Sequence, residues 1–407
     1  MRLLLVTPYY APDIGPSSPL VTTLAETLSA NFAVEVTVVC AAPHFPDGIV
    51  RDGFHHFPWK WSKENNVKIC RVWIPNGDRS CLFHRMTVFV VYQLLSTLAT
   101  LRQKYDMVLI TNPAIETGFL FFVFAWLKRK PSIFCVWDVY PEIGVQLGVF
   151  RNALVIRAVK WLEDFCLEHA SAVQVLATGF LSNLQERVSD SGKVVYIHPW
   201  LTMNDLHGLS KQNSFARAHG FDRKFIVMYA GNLGLSQGLE KFIWCAKELS
   251  SQQRIHFVFI GDGMAAPELR ALAQSLELSN VTFLPFQPRE CLAEVLSSAD
   301  ISLVSLQAGL IASSLPSKTF SIMACERPVF AMVDEDSELW HMIQSARAGW
   351  CVSSSASPKQ IADLIESICD ESATLKEYGA NAGRYVREHF SLQEATRMFY
   401  MLMEQIT

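Results

Sequence analysis

The residues best suited to chemistry stand where apolar runs end. In the second half, "YAGNLGLSQGLEKF" (229–242) carries Gly231, Gly234 and Gly238, with Asn232 and Gln237 between them. Glycines there let the backbone approach a ligand closely, and the helix start behind them can hold an oxyanion. "FIGDGMAAPEL" (259–269) is a second such turn, with Gly261 and Asp262. Both also read as ordinary turn glycines, and the Gly-x-Gly-x-x-Gly of a dinucleotide site is absent. "IASSLPSKTFSIMACE" (311–326) gathers Ser313, Ser314, Ser317 and a lone lysine, Lys318, where a helix begins. Such hydroxyls either cap the helix or, with the lysine and the free N–H groups, bind a phosphate. "DEDSELW" (334–340) offers Ser337 and Glu338. A carboxylate there suits ribose hydroxyls, or else the turn merely complements the helix dipole.

The first half carries fewer candidates. Asp138 and Glu142 in "WDVYPEIG" are two carboxylates closing an otherwise apolar strand. They are candidate general bases, or a solvated strand end. "DIGPSSP" (13–19), with Gly15, follows the first strand. His44, His55, His56 and His198 have the chemistry of bases, but isolated histidines are more often structural.

These residues need a scaffold, and the apolar pattern supplies one. Runs of four to seven residues at 2–7, 34–40, 68–74, 107–111, 132–137, 172–176 and 193–197 read as strands, with helices at 18–30, 84–103, 116–128, 152–169 and 179–187 between most of them. The runs are near-continuous Val, Ile, Leu and Phe, as in parallel strands buried on both faces. A polar stretch at 202–224 breaks the alternation, which then restarts. Helices 238–250, 265–277, 289–299, 317–325, 337–347 and 358–371 each follow a short apolar run. The expected fold is α/β, with two doubly wound Rossmann-like halves and ligands at the carboxyl ends of the strands.

Composition agrees. A chain of 407 residues, 50% hydrophobic and 18% charged, has enough apolar residues for two cores. A net charge of −4 argues against a nucleic-acid partner. Ten scattered cysteines without a Cys-x-x-Cys pair fit neither a zinc site nor a disulfide framework and suit a reducing cytosol. "RLLLVTPYY" at the start reads as a buried strand and not a signal peptide. No uninterrupted apolar run reaches the ~18 residues of a spanning helix. Two segments, 86–101 and 118–130, are apolar enough for buried helices or for helices lying at a membrane surface. Their ends carry His84, Arg85, Arg102, Lys104, Lys128, Arg129 and Lys130.

Taken in order, the turns of the second half resemble the nucleotide-binding domain of GT-B glycosyltransferases, the large retaining family that uses sugar nucleotides. The resemblance is strongest to the L-fucosamine transferase-like branch, which builds bacterial polysaccharides and O-antigens. It extends through "NVTFLPFQPRECLAEVLSSADISLVSL", "LPSKTFSIMACERPVFA", "DSELWHMIQSARAGWCV" and "YGANAGRYVREHFSLQEA", and in the first half through "TPYYAPDIGPSSPLVTTLAETLS" and "WDVYPEIGVQLG". It implies two Rossmann-like domains facing each other across a cleft. Residues 1–203 would bind the acceptor, 204–385 would bind the nucleotide sugar, and 386–407 would form a helix returning to the first domain.

Carried over, Gly231 and Asn232 approach the diphosphate, and Lys318 neutralises it with help from the helix start at Ser317. Glu338 binds the ribose, and the backbone of Phe286 and Gln287 meets the base. Gly15, Gly234, Gln237, Gly261, Asp262 and Ser337 complete the donor set, and Asp138, Glu142 and Lys318 the catalytic one. Relatives often carry an Arg and a Lys where this chain has Asn232 and Gln237, and a pair of glutamates where it has Ser313 and Ser321. These losses leave more of the work to Lys318 and Glu338. The implied reaction moves a sugar from a nucleotide diphosphate, a UDP-sugar by analogy, to a polyprenyl-diphosphate-linked glycan, with retention and without a cofactor or metal. The cytoplasm, peripherally at the inner face of the plasma membrane, is the expected location. A sugar-nucleotide 2-epimerase and a non-catalytic scaffold of the same architecture are the alternatives.

Overall fold

The computed structural model describes residues 1–15, 17–78, 81–146, 150, 152–202, 206–307 and 315–407. The chain forms two compact units, Met1–Thr202 with Leu392–Thr407, and Met203–Ser391. The return to the first unit begins at Leu392 and not at 386. Residues 386–389 still belong to the helix Ser372–His389. The Phe390 ring behind it lies 4.6 Å from Phe320 of the second unit. The closing helix Leu392–Ile406 instead packs in the first unit, with Tyr400 stacked 4.9 Å from Phe32 and Phe399 against Trp200.

In the first unit, strands β1 (Arg2–Val6), β2 (Glu35–Ala41), β3 (Trp59–Glu64), β4 (Val67–Val72), β5 (Met107–Thr111), β6 (Ser132–Val136), β7 (Ala172–Val175) and β8 (Val194–Tyr196) form one sheet. Its order is β3-β4-β2-β1-β5-β6-β7-β8 among the described residues. All pairs are parallel except β3 with β4. Every residue of β5, β6 and β7 is buried, because helices cover both faces. Ser18–Asn31 and the closing helix cover one face. Leu82–Thr100, Ala114–Phe121 with its π-helical extension Phe122–Leu127, and Ala153–His169 cover the other. The edge strand β3, which forms a hairpin with the expected β4, lies outside the expected strand set. Its signal is a Trp-Lys-Trp-Ser-Lys-Glu alternation before Asn65 and Asn66, both in the left-handed region at φ 47° and 64°, as a tight hairpin turn requires.

The second unit is wholly parallel among the described residues. Strands β9 (Phe225–Ala230), β10 (Ile255–Ile260), β11 (Val281–Leu284), β12 (Ile301–Ser305), β13 (Val329–Val333) and β14 (Gly349–Ser353) stand in the order β11-β10-β9-β12-β13-β14. Strand order reverses between β9 and β12. In an open α/β sheet a ligand sits outside the carboxyl ends at that switch point. The segments leaving those two strands are the Gly231 turn and the chain that leads to Lys318. The protein is thus two doubly wound Rossmann-like α/β domains.

Candidate functional site

Lys318 is the second residue of the helix Ser317–Ala324. Of the two readings of the hydroxyl-rich stretch, helix capping finds no support in the described residues. The cap position is Pro316, no side chain accepts a hydrogen bond there, and Ser317 is exposed. Ser313 and Ser314 lie outside the described residues. Ser321, one turn into the helix, is half-buried.

The lysine ammonium lies 3.8 Å from the centroid of the Tyr229 ring and donates to its hydroxyl at 2.5 Å. Tyr229 in turn donates to the carbonyl of Asn232 at 2.8 Å. The ammonium is enclosed by protein, and this burial pushes its pKa down to about 7. Among the described residues no carboxylate pairs with it. A half-buried cation with no carboxylate counter-ion among the described residues is an anion site in waiting, because a bound anion restores the missing charge partner. Tyr229 is not among the candidates that the sequence marks. Its signal, an aromatic residue shortly before the strand ends at the Gly231 turn, is shared by many core strands.

Gly231 faces this ammonium. With φ at 144° it adopts a backbone that favours glycine, and a Cβ built there would lie 3.8 Å from Lys318 Nζ. Three residues on, Asn232 and Gln237 converge over Gly234, whose Cβ would meet Gln237 Oε1 at 2.6 Å and Asn232 Nδ2 at 3.0 Å. Gln237 Nε2 donates to Ser236 at 2.9 Å, while its buried Oε1 has no hydrogen-bond partner among the described residues. The first turn therefore presents uncharged amides beside the lysine.

Gly261 has a different use. A Cβ there, at φ 134°, would lie 2.0 Å from the carbonyl oxygen of Gly231. The turns after β9 and β10 lie backbone on backbone, joined by Gly231 N–H to Ile260 and Leu233 N–H to Asp262, both 2.9 Å. Gly261 thus holds the Gly231 turn in place. Gly261→Ala is expected to destabilise the second unit by at least about 2 kcal/mol and to weaken nucleotide binding with it. Thermal unfolding and UDP titration of the variant check this. The exposed Phe286 ring stands at the same point, 3.3 Å from where that Cβ would sit, and Gln287 Nε2 donates to Pro285 O at 2.8 Å. Asp262 is exposed, and its carboxylate accepts from its neighbour Gly263 at 2.8 Å.

Ser337 is a helix cap, its hydroxyl accepting from Trp340 N–H at 3.2 Å, and Glu338 opens the helix it caps. No described contact links this pair with Lys318. In the first unit, Gly15 packs on Tyr9, whose ring a Cβ would meet at 2.4 Å. The neighbouring Asp13 carboxylate is buried and accepts from the backbone N–H groups of Gly15, His44 and Phe45 at 3.0 to 3.2 Å. His44 Nδ1 lies 3.4 Å from it and 2.9 Å from the carbonyl of Ala42, a structural setting.

The two candidate carboxylates occupy different surroundings. Glu142 opens a short helix and faces Arg187 at 3.7 Å, whose guanidinium also binds Asp164 and the carbonyl of Tyr140. Among the described residues no cation pairs with Asp138. It is exposed in its loop, yet partial desolvation by the chain around it raises its pKa to about 6. Its loop is tied down by Asn112, which donates to Asp138 O at 2.6 Å and accepts from Trp137 N–H at 3.0 Å. Asn112 is itself bonded to Glu163 at 3.1 Å, a buried carboxyl that also accepts from Ala114 N–H at 2.8 Å and whose burial raises its pKa to about 7. Neither Asn112 nor Glu163 stands out in the sequence. Among the described residues no three His, Cys, Asp or Glu side chains converge as a metal-ligand set.

Comparison with known proteins agrees with the two-domain fold. Residues 211–385 match the family model of the glycosyl transferases group 1, and residues 18–200 that of the glycosyl transferase 4-like domain. A probable glycosyltransferase, WbjE of Pseudomonas aeruginosa, is 26% identical over 308 residues, covering 73% of this chain and 74% of its own. The putative colanic acid biosynthesis glycosyl transferase WcaI of Escherichia coli K12 is 22% identical over 98% of both chains. The structure of Anabaena Alr3699/HepE in complex with UDP matches over 100% of both chains at a TM-score of 0.73 and 12% identity.

Proposed function

We propose that this chain is a group 1 glycosyltransferase of GT-B fold that transfers a sugar from a UDP-sugar to a hydroxyl of a lipid-linked glycan. The reaction retains the anomeric configuration and uses no metal. One observation carries the reading: Lys318, half-buried and without a carboxylate partner among the described residues, beside a glycine turn at the switch point of a parallel sheet. A diphosphate supplies the negative charge this site lacks. The uridine assignment draws on a neighbour solved with UDP, and the polysaccharide role on a relative named for colanic acid biosynthesis.

In the step proposed, the bond between the anomeric carbon and the diphosphate oxygen breaks. The acceptor oxygen bonds to that carbon, and its proton passes to a base. Lys318 and the open first turn of its helix stabilise the charge on the departing diphosphate, as electrostatic catalysis requires. Gly231, Asn232, Gly234 and Gln237 line the diphosphate side, with Ser317 at the helix start. Glu338 takes the ribose, with Ser337 fixing its helix, and Phe286 with Gln287 takes the base beside Gly261 and Asp262. Asp138 is assigned as the base for the acceptor, because Glu142 is engaged by Arg187. The setting proposed is the cytoplasmic face of the plasma membrane, in O-antigen or related lipopolysaccharide synthesis.

The test is release of UDP from UDP-hexoses and UDP-aminosugars, with and without a polyprenyl-diphosphate-linked acceptor fraction. Acceptor-dependent release with a glycosylated lipid product is the expected result. UDP release with free sugar and no acceptor would support 2-epimerase chemistry instead. Absence of both turnover and UDP binding would leave the scaffold reading.

A further inference from the structure

Three helices on one side of the first unit present an apolar face that no other described element of the unit covers. Leu82–Thr100 packs beside Ala114–Leu127, which packs beside Ala153–His169. Large side chains point outward along all three: Phe83 is 81% exposed, Leu94 50%, Leu98 62%, Trp126 42%, Leu127 60% and Trp161 67%. The face is continuous between the second and third helices. Trp126 stacks 5.0 Å from Phe122 and meets Phe165 at 5.9 Å, and Phe165 meets Trp161 at 6.1 Å. An exposed apolar surface spread over three helices exceeds the scattered single residues of an ordinary surface.

Charge tells which partner it fits. Segments 82–104, 114–130 and 153–169 hold eight Lys and Arg against four Asp and Glu, a balance of +4. The remaining residues hold 27 against 35, a balance of −8. Two of the four acids, Glu116 and Glu163, are buried, so the surface itself is more basic still. Lys128 marks the rim, donating to Leu101 O at 2.8 Å while its ammonium lies over the Tyr105 and Phe124 rings. A chain of net negative charge has therefore gathered cations around its broad apolar face.

Among the described residues, helix Leu82–Thr100 alone is long and apolar enough to cross a bilayer, with a mean hydropathy of 1.2. Its inner side argues against that use. Tyr92 is buried and donates to Val39 O of β2 at 3.2 Å, and Ser96 and Thr100 are buried with it. Withdrawal into lipid would strip the sheet of its cover, whereas the outward side is already exposed. We propose that this three-helix face docks in the plane of an anionic phospholipid surface. The apolar side chains enter the interfacial layer, Trp126 and Trp161 sit at headgroup level, and the basic residues meet lipid phosphates. The proposal rests on the reading of a lipid-linked acceptor, which it supplies with a place to be met.

The test is flotation of the full chain with vesicles of phosphatidylcholine, with and without phosphatidylglycerol, with UDP binding measured on the same samples. The wild type is expected to float with the anionic vesicles and to be largely released by salt. The variants Leu94→Glu with Leu98→Glu, and separately Trp161→Glu, should each weaken vesicle binding by about tenfold or more and leave UDP affinity unchanged. Failure of the wild type to bind anionic vesicles would overturn the proposal, as would undiminished binding by the variants. So would a wild-type dimer that the same substitutions dissociate, which would make a second copy the occupant. Loss of UDP binding alongside intact flotation would count against the donor-site reading and leave this one standing.

Discussion

Replacement of Lys318 by Ala is expected to weaken UDP binding by roughly a hundredfold and to leave uridine binding nearly unchanged. Removing one partner of a desolvated charge pair forfeits on the order of 2–5 kcal/mol. Uridine lacks the phosphates, so it should not register the change. Loss of kcat/KM should be larger than loss of affinity, because the leaving diphosphate gains charge in the transition state, and removal of one preorganised donor typically slows a reaction by about 10²–10³. Isothermal titration with UDP and uridine checks the first part, and steady-state kinetics the second. Equal UDP affinities for wild type and variant would sink the assignment.

The same lysine makes a prediction of opposite sign for stability. Its pKa falls from the ordinary lysine value to about 7 in the fold. Between pH 7 and the ordinary value the unfolded chain holds a proton that the folded chain lacks, so stability rises with pH across that window. Below pH 7 both states are charged and the full penalty of the enclosed ammonium remains. Lys318→Met should therefore raise the thermal midpoint at pH 6 to 7 while abolishing UDP binding. A residue kept for packing would lose stability when replaced. Ligand binding follows the same proton. UDP should bind most tightly below pH 7 and lose affinity above it, as the free protein must take up a proton to bind.

How far the residues announce this arrangement differs from element to element. Most strands of the described chain follow their apolar runs closely, because strands buried on both faces leave an unbroken record in sequence. The hairpin strand Trp59–Glu64 leaves only a short alternation and no apolar run, because half of its residues face solvent at a sheet edge. The Gly231 turn and Lys318 are legible, since glycine and a lone cation are few in kind. Their meeting partner Tyr229 is not, because its role depends on a residue 89 positions away. Long-range partners also separate the two acidic candidates. Nothing near Glu142 in sequence announces Arg187, and nothing near Asp138 announces Asn112 or the Glu163 behind it. Gly261 reads in sequence as a ligand glycine, yet the tightest neighbour of its missing side chain is another loop's backbone.

Asp138→Asn separates the chemistry from donor binding. Asparagine keeps the size and the backbone hydrogen bond from Asn112, so the loop should hold its form. It cannot take a proton from the acceptor hydroxyl. UDP affinity should be unchanged and kcat should fall by about 10²–10⁴, the range ascribed to a general base. Glu142→Gln, which disturbs only the Arg187 cluster, should cost much less. The pH profile supplies an independent readout. Asp138, raised to about 6, must be ionised, and Lys318, lowered to about 7, must be protonated. The profile of kcat/KM, which reports the free enzyme, should then rise through pH 6 and decline through pH 7. In Asp138→Asn the rising limb should vanish while the decline remains. In Lys318→Arg, whose guanidinium stays charged throughout, the decline should vanish while the rise remains. A wild-type profile flat from pH 5 to 8 would remove both residues from the reaction at once, because neither could then change its charge in the free enzyme without consequence.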